Sequence, residues 1–192
     1  LFSPASQALQ LYTEEYPPIS FSQQGQAEGL AVDLVRELLK RLDQQASLQV
    51  VPWARAYRIA QTTANTAIFP TMRNSEREPQ FKWVGPILLA NDNFYALKGS
   101  GIKVGQREEL ARFKDIAVPR DWFTYQELTA AGMHNLLGVT EPAQMFRLLR
   151  MGRVLLIVAD NLSFYARDEA AVQVDHLGPD DVEVVYPYRS SY

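Results

Sequence analysis

The 192-residue chain contains no cysteine. That absence removes disulfide scaffolds, thiol nucleophiles and cysteine-zinc sites together, and it leaves the redox compartment open, because oxidising and reducing spaces both admit such chains. Long apolar runs are also missing. The longest, Val154 to Ala159, falls far short of the ~20 residues that a bilayer span needs, so a soluble chain is expected. Charge of one sign is absent as well: 19 basic residues face 22 acidic ones, a formal net charge of −3. No basic run is long enough to follow a phosphate backbone, so no nucleic-acid partner is expected. The two histidines, His134 and His176, lack metal-ligand spacing and read as surface or core residues. No nucleophile elbow, zincin helix, P-loop or dinucleotide fingerprint is present, and the glycine-rich stretch Gly99 to Gly105 reads as a turn. Neither a metal, another cofactor nor a catalytic residue is expected.

What is present is ordinary globular composition, 47% hydrophobic and 21% charged, which excludes disorder and suffices for one domain or two small lobes. Short β-rich runs alternate with helical patterns, the α/β signature of parallel sheet. Leu9 to Thr13 is a strand ended at Pro17-Pro18, and a loop follows to Gly29. From Ala31 to Leu42, Val32, Val35, Leu38, Leu39 and Leu42 lie on one helical face. Leu48 to Val51 precedes Pro52, Trp53 to Gln61 is helical, and Thr66 to Phe69 is a strand stopped by Pro70. Asn91-Asp92-Asn93 interrupts the pattern before a strand over Phe94 to Leu97, and a lobe boundary is placed there.

The second half repeats the plan. Arg107 to Phe113 is a short helix and Ile116 to Val118 a strand stopped by Pro119. A helix capped by the Thr140 hydroxyl starts at Thr140-Glu141-Pro142 and ends at Gly152. Val154 to Ala159 is a strand covered on both faces, and Val182 to Tyr186 is the last strand. Helix-then-strand at Ala56 to Phe69 recurs at Phe146 to Ala159, which favours two similar lobes, residues 1–91 with 188–192 and residues 92–187.

In such sheets ligands sit beyond the carboxyl ends of the strands. The residues there are Glu14, Glu15 and Tyr16; Thr71, Arg73 and Arg77; Arg120, Asp121 and Trp122; and Asp160 and Asn161. Arg77 could grip a carboxylate through its planar fork while Asp160 receives an ammonium. The simpler reading of the residues alone is that Arg77 pairs with Glu76 or Glu78 on the surface and that Asp160 caps a helix near Leu162. Arg55 and Arg73 are rival anion binders. Tyr16, Trp53 and Trp122 could form aromatic walls over a ligand or sit in the core. Asn161-Leu162-Ser163 matches a glycosylation triplet, a frequent chance match.

Several motifs then fall into one order: Glu15-Tyr16-Pro17-Pro18, Gly29-Leu30-Ala31-Val32-Asp33-Leu34, Asn74-Ser75-Glu76-Arg77 before Phe81-Lys82-Trp83-Val84-Gly85-Pro86, and Gly152-Arg153 before a strand ending at Asp160. Their succession resembles family-3 extracellular solute-binding proteins, the periplasmic amino-acid receptors of ABC transporters. The resemblance implies a type II clamp: two α/β lobes, each a mostly parallel sheet flanked by helices, joined by a two-stranded hinge and closing on a ligand. It implies that Tyr16 packs on the ligand, Arg77 grips its carboxylate and Asp160 takes its ammonium. Thr71, Trp122, Trp53, Arg73 and Glu14, read from their positions in the chain, complete the expected ligand-binding set. Phe69-Pro70-Thr71-Met72 leaves Thr71 alone where the family has small hydroxyl residues. Arg120-Asp121-Trp122-Phe123-Thr124 replaces its glycine-serine-threonine anion turn, and a site filled by Phe69, Trp122 and Phe123 points to a smaller, an aromatic or a non-amino-acid ligand, or to a partly closed site.

The expected partners are a small amino-acid-like or carboxylate ligand and an inner-membrane ABC permease, with the chain monomeric and periplasmic. The start at Leu1-Phe2-Ser3-Pro4 is expected to follow a removed export signal, and a segment returning to the first lobe is expected beyond Tyr192. The alternative is the sensing domain of a membrane signalling protein. A hydrolase or transglycosylase on the same scaffold would need Glu14 as its general acid.

Overall fold

The computed structural model describes residues 8–164 and 177–190, so His176 lies outside the described residues. The described chain divides into two compact units, residues 8–15 with 19–88 and residues 16–18 with 89–164 and 177–190.

The first unit is built on a parallel sheet in which strand β1 (Leu9–Thr13) lies between β4 (Ala46–Val50) and β5 (Thr66–Ile68). Leu11 is opposite Leu48 on one side and Ala67 on the other. Helix α1 (Leu30–Arg41) leads to β4, and α2 (Trp53–Thr62) leads from β4 across to β5. Because those crossovers run in opposite directions, their common right-handedness puts the two helices on opposite faces of the sheet. α1 carries Asp33 in its first turn and Lys40 and Arg41 in its last, each favourable to the helix dipole. It buries Ala31, Val32 and Val35, whereas Leu38 and Leu42, expected on that face, are 37% and 58% exposed. A hairpin stands where a loop was expected: β2 (Phe21–Gln23) pairs antiparallel with β3 (Gln26–Glu28). Gln24 and Gly25 form its turn with φ of 51° and 78°, the doubly left-handed arrangement that matches strand twist.

The second unit holds a mixed sheet of order β10-β6-β9-β7-β8. Its strands are β6 (Asn91–Leu97), β7 (Ile116–Pro119), β8 (Leu136–Val139), β9 (Leu156–Asp160) and β10 (Val182–Ser190). β7 is parallel to β8 and β9, while β6 pairs antiparallel with β9 and β10. Side chains alternate between two cores, as strand geometry requires. Phe94, Ala96, Ile116, Val118, Leu156 and Val158 join Leu128 of α3 (Phe123–Ala130) and Leu110 of a 3-10 turn over Arg107–Arg112. Tyr95, Ala117, Ile157 and Ala159 face the other way, against Met145 and Leu149 of α4 (Pro142–Arg150). Leu156 to Ala159 are all at most 1% exposed, so β9 is covered on both faces, but it starts at Leu156 rather than at Val154, and Leu155 is 56% exposed.

Three local expectations are corrected here. Asn91, Asp92 and Asn93 do not interrupt the strand but begin it, paired with Ser190, Arg189 and Pro187. β10 continues past Tyr186 because register shifts on either side of Pro187 accommodate its missing N–H. The N-cap of α4 is Glu141, without a side-chain cap bond, so Thr140 does not cap it. Helix α3 and strand β8 were not read from the sequence at all.

Candidate functional site

In the first unit the polar groups gather after β1, α2 and β5. Arg77 is buried, 6% exposed, with its guanidinium carbon 5.6 Å from the Trp53 ring centroid and 5.2 Å from that of Tyr57. Trp53 and Tyr57 occupy i and i+4 of α2, so both rings lie on the face that meets Arg77. Burial drives the Arg77 pKa down, opposed by Tyr57, Glu76 and Glu14. The surface pairing of Arg77 is therefore corrected. Glu78 is held instead by Arg73, whose Nε and Nη2 donate to its two carboxylate oxygens at 2.6 and 2.7 Å. Arg73 is exposed and also lies over the Trp83 ring.

The Arg77 backbone N–H donates to Asn74 Oδ1 at 2.8 Å, which fixes the turn that presents the guanidinium. Two buried polar atoms of this unit, Thr13 Oγ1 and Asn74 Nδ2, have no hydrogen-bond partner. Thr71 is half-buried and donates to the Ile68 carbonyl at 3.5 Å. Glu14 accepts the Ser20 hydroxyl on its backbone carbonyl, and Arg55 is exposed on α2.

In the second unit, β9 delivers Asp160 to the sheet edge and the chain turns at once into a 3-10 turn, Asn161–Phe164. Asp160 Oδ1 accepts the N–H groups of Leu162 at 2.8 Å and Ser163 at 3.1 Å, so the capping role read from the sequence is present. Oδ2 accepts the Tyr16 hydroxyl at 2.7 Å, and Tyr16 also bonds the buried Ser163 hydroxyl. The Tyr16 ring meets Trp122 edge-on, 4.7 Å between centroids. Trp122 is the N-cap of α3, and two residues on Thr124 donates to Asp92 at 3.0 Å. Asp92 is the register partner of Asp160. Burial raises the Asp160 pKa; the hydrogen bonds from Tyr16, Ser163 and Leu162 pull the other way and do not overcome it.

The structure thus gathers Arg77 and Trp53 in one unit and Tyr16, Trp122 and Asp160 in the other, and it turns Arg73 toward Glu78. Sequence reasoning missed Tyr57, Asp92, Thr124 and Ser163. The i, i+4 spacing of Tyr57 from Trp53 was available as a signal; Ser163 was set aside inside a chance triplet. His134 is exposed, and among the described residues no cluster of acids and histidines is arranged to hold a metal.

Two α/β units presenting charged and aromatic residues beyond their strands define a ligand-binding clamp of the periplasmic-binding-protein type. The family model of bacterial extracellular solute-binding proteins, family 3, matches residues 10–173, and the chain belongs to that family. No curated protein matches it by sequence. Among solved structures it is similar to a histidine kinase sensor domain with similarity to periplasmic binding proteins, at TM-score 0.80 and 18% identity, over 96% of this chain and 79% of the other. It is also similar to holo ArgBP from T. maritima, at TM-score 0.74 and 18% identity over 96% and 79%. The GluR0 ligand-binding core from Nostoc punctiforme, in complex with (L)-glutamate, aligns at TM-score 0.74 and 19% identity over 95% and 81%.

Proposed function

We propose that the protein is a periplasmic receptor that captures a small polar ligand bearing a carboxylate and passes it to an ABC permease, working by binding alone as a monomer. The observation that carries this reading is the buried guanidinium of Arg77 seated against Trp53 and Tyr57. A weakly hydrated, planar, permanent cation in low dielectric is a strong and geometrically selective partner for a carboxylate. Tyr16 and Trp122 supply an apolar surface in the other unit, and contacts from both units are what allow a ligand to favour one arrangement of a clamp over another. Removing Arg77 as Arg77→Ala is expected to weaken binding by about 2–5 kcal/mol, the range for a buried charge pair that loses one partner. Calorimetry with the ligand found by a thermal-shift screen measures it, and unchanged affinity would reject the role.

The second reading, a sensing domain of a membrane signalling protein, is favoured by the likeness to a histidine kinase sensor domain. The coding sequence downstream of Tyr192 separates the two: an encoded membrane span supports the sensor, and a stop codon shortly after supports the free receptor.

A further inference from the structure

The turn that carries Arg77 is tied to helix α2 through one side chain, that of Gln80. The Gln80 backbone N–H donates to the Arg77 carbonyl at 3.0 Å, in a 3-10 turn over Glu78–Gln80. Its carboxamide bonds in both directions. Nε2 donates to the Glu76 carbonyl at 2.7 Å, while Oε1 accepts the Tyr57 hydroxyl at 2.9 Å and Gln61 Nε2 at 2.6 Å. Tyr57 and Gln61 stand four residues apart on α2, so both reach the same oxygen from one helical face.

The bond directions propagate to the guanidinium. A backbone carbonyl only accepts, so the Glu76 carbonyl keeps the amide nitrogen of Gln80 on its own side and leaves the amide oxygen to Tyr57. A phenol has one proton, and Gln80 takes it. The Tyr57 oxygen then has only lone pairs to offer Arg77, which has only donors and whose guanidinium carbon lies 5.2 Å from the centroid of the same ring. Arg77 is hydrogen-bonded to Tyr57 in that sense. With the amide turned over, its NH2 would face the phenol and the phenol proton would be left to point at the cation.

We propose that Gln80 and Tyr57 are positioning residues for ligand capture: Gln80 orients the Tyr57 hydroxyl, and the hydroxyl orients the Arg77 fork toward a carboxylate. This rests on the carboxylate-receptor reading above and deepens it. An uncharged phenol oxygen fixes the direction of the fork without cancelling its charge, whereas an acid in the same place would cancel it.

The test reads Arg77 itself before any ligand is added. In heteronuclear NMR of the purified chain, with the Arg77 side-chain signals assigned by their loss in Arg77→Lys, an anchored guanidinium rotates slowly about its Cζ–N bonds. Rotation should be about tenfold faster or more in Gln80→Leu and in Tyr57→Phe, the factor for losing one hydrogen bond to a charged group. Tyr57→Phe keeps the ring and its contacts with Trp53 and Phe81. Calorimetry then titrates the same variants with the proteinogenic amino acids, succinate and glutarate. Affinity for the tightest-binding member of that panel should fall about three- to tenfold in each variant, and by less than about twofold in an Arg77→Lys background, where there is no fork to orient. Unchanged rotation in either variant, or an affinity loss of the same size in the Arg77→Lys background, overturns the inference and leaves the carboxylate receptor standing. Faster rotation with unchanged affinity also overturns it. If no member of the panel binds the wild type, the carboxylate reading falls and the inference with it.

Discussion

Tyr16→Phe removes a single oxygen and keeps the ring that meets Trp122, so its effect isolates the hydroxyl at the centre of the second unit's polar cluster. That hydroxyl donates to a carboxylate at 2.7 Å and is bonded to the Ser163 hydroxyl, which is 2% exposed as a residue and loses a partner in the variant. A hydrogen bond to a charged group contributes about 1.5–3 kcal/mol net. For a chain of this length a destabilisation of 1 kcal/mol lowers Tm by roughly 2–4 °C, so a drop of about 3–12 °C is expected near neutral pH.

The pH dependence supplies an independent check. Burial raises the Asp160 pKa above its ordinary value of 3.8, and the Tyr16 bond is the largest influence pulling it back. Without the bond the folded pKa rises further. An acid with a raised folded pKa binds more protons folded than unfolded, so its contribution to stability is fully present below the unfolded pKa and is lost as pH rises through the folded one. The variant loses more across that window than the wild type. Its deficit should therefore widen as pH rises through the folded pKa and shrink on the acid side of that window, as followed by circular-dichroism melts across the pH range. A Tm within about 1 °C of wild type near neutral pH, or a deficit that does not narrow on acidification, would refute the placement of this hydroxyl on an ionised Asp160.

Leu156→Ala opens a cavity between β9 and its neighbours where Leu156 is 0% exposed among Phe94, Ile116 and Val158; a loss of about 2–5 kcal/mol is expected in urea unfolding followed by tryptophan fluorescence. Arg73→Ala should leave Tm unchanged in the same melts, because its pair with Glu78 is solvent-exposed and such pairs contribute little.

Three of the strands that the sequence disclosed are closed by proline, which acts through its own ring and missing N–H: β1 before Pro17, β4 before Pro52, β5 before Pro70. Pro119, expected to stop β7, is instead its last residue, paired with Val139. β9 was legible for another reason, since a strand buried on both faces must be apolar at every position. What stayed hidden depends on partners. Asn91 to Asn93 have poor strand propensity, and only their pairing with β10 makes them strand. Trp122 to Tyr125 are weak helix formers, and α3 holds them through the burial of Thr124 and Leu128 rather than through propensity. On α1 the periodicity gave the helix and overestimated its buried stripe, because the narrow three-stranded sheet beneath it leaves Leu34, Leu38 and Leu42 exposed.

The site was legible as residue types and not as bonding states. Sequence spacing presents Arg77 and Asp160 as two charges of opposite sign that together read a zwitterion, yet the chemistry around them is unequal. Arg77 is packed against the Trp53 and Tyr57 rings, is hydrogen-bonded to Tyr57 and lies within the field of Glu76 and Glu14. Asp160 is packed against hydrogen-bond donors, one of them on a residue 144 positions away in the chain. No local pattern near Asp160 announces that donor. The two residues that a motif places in one pair therefore differ in surroundings, rings and a phenol hydroxyl about Arg77 and hydroxyl and backbone donors about Asp160.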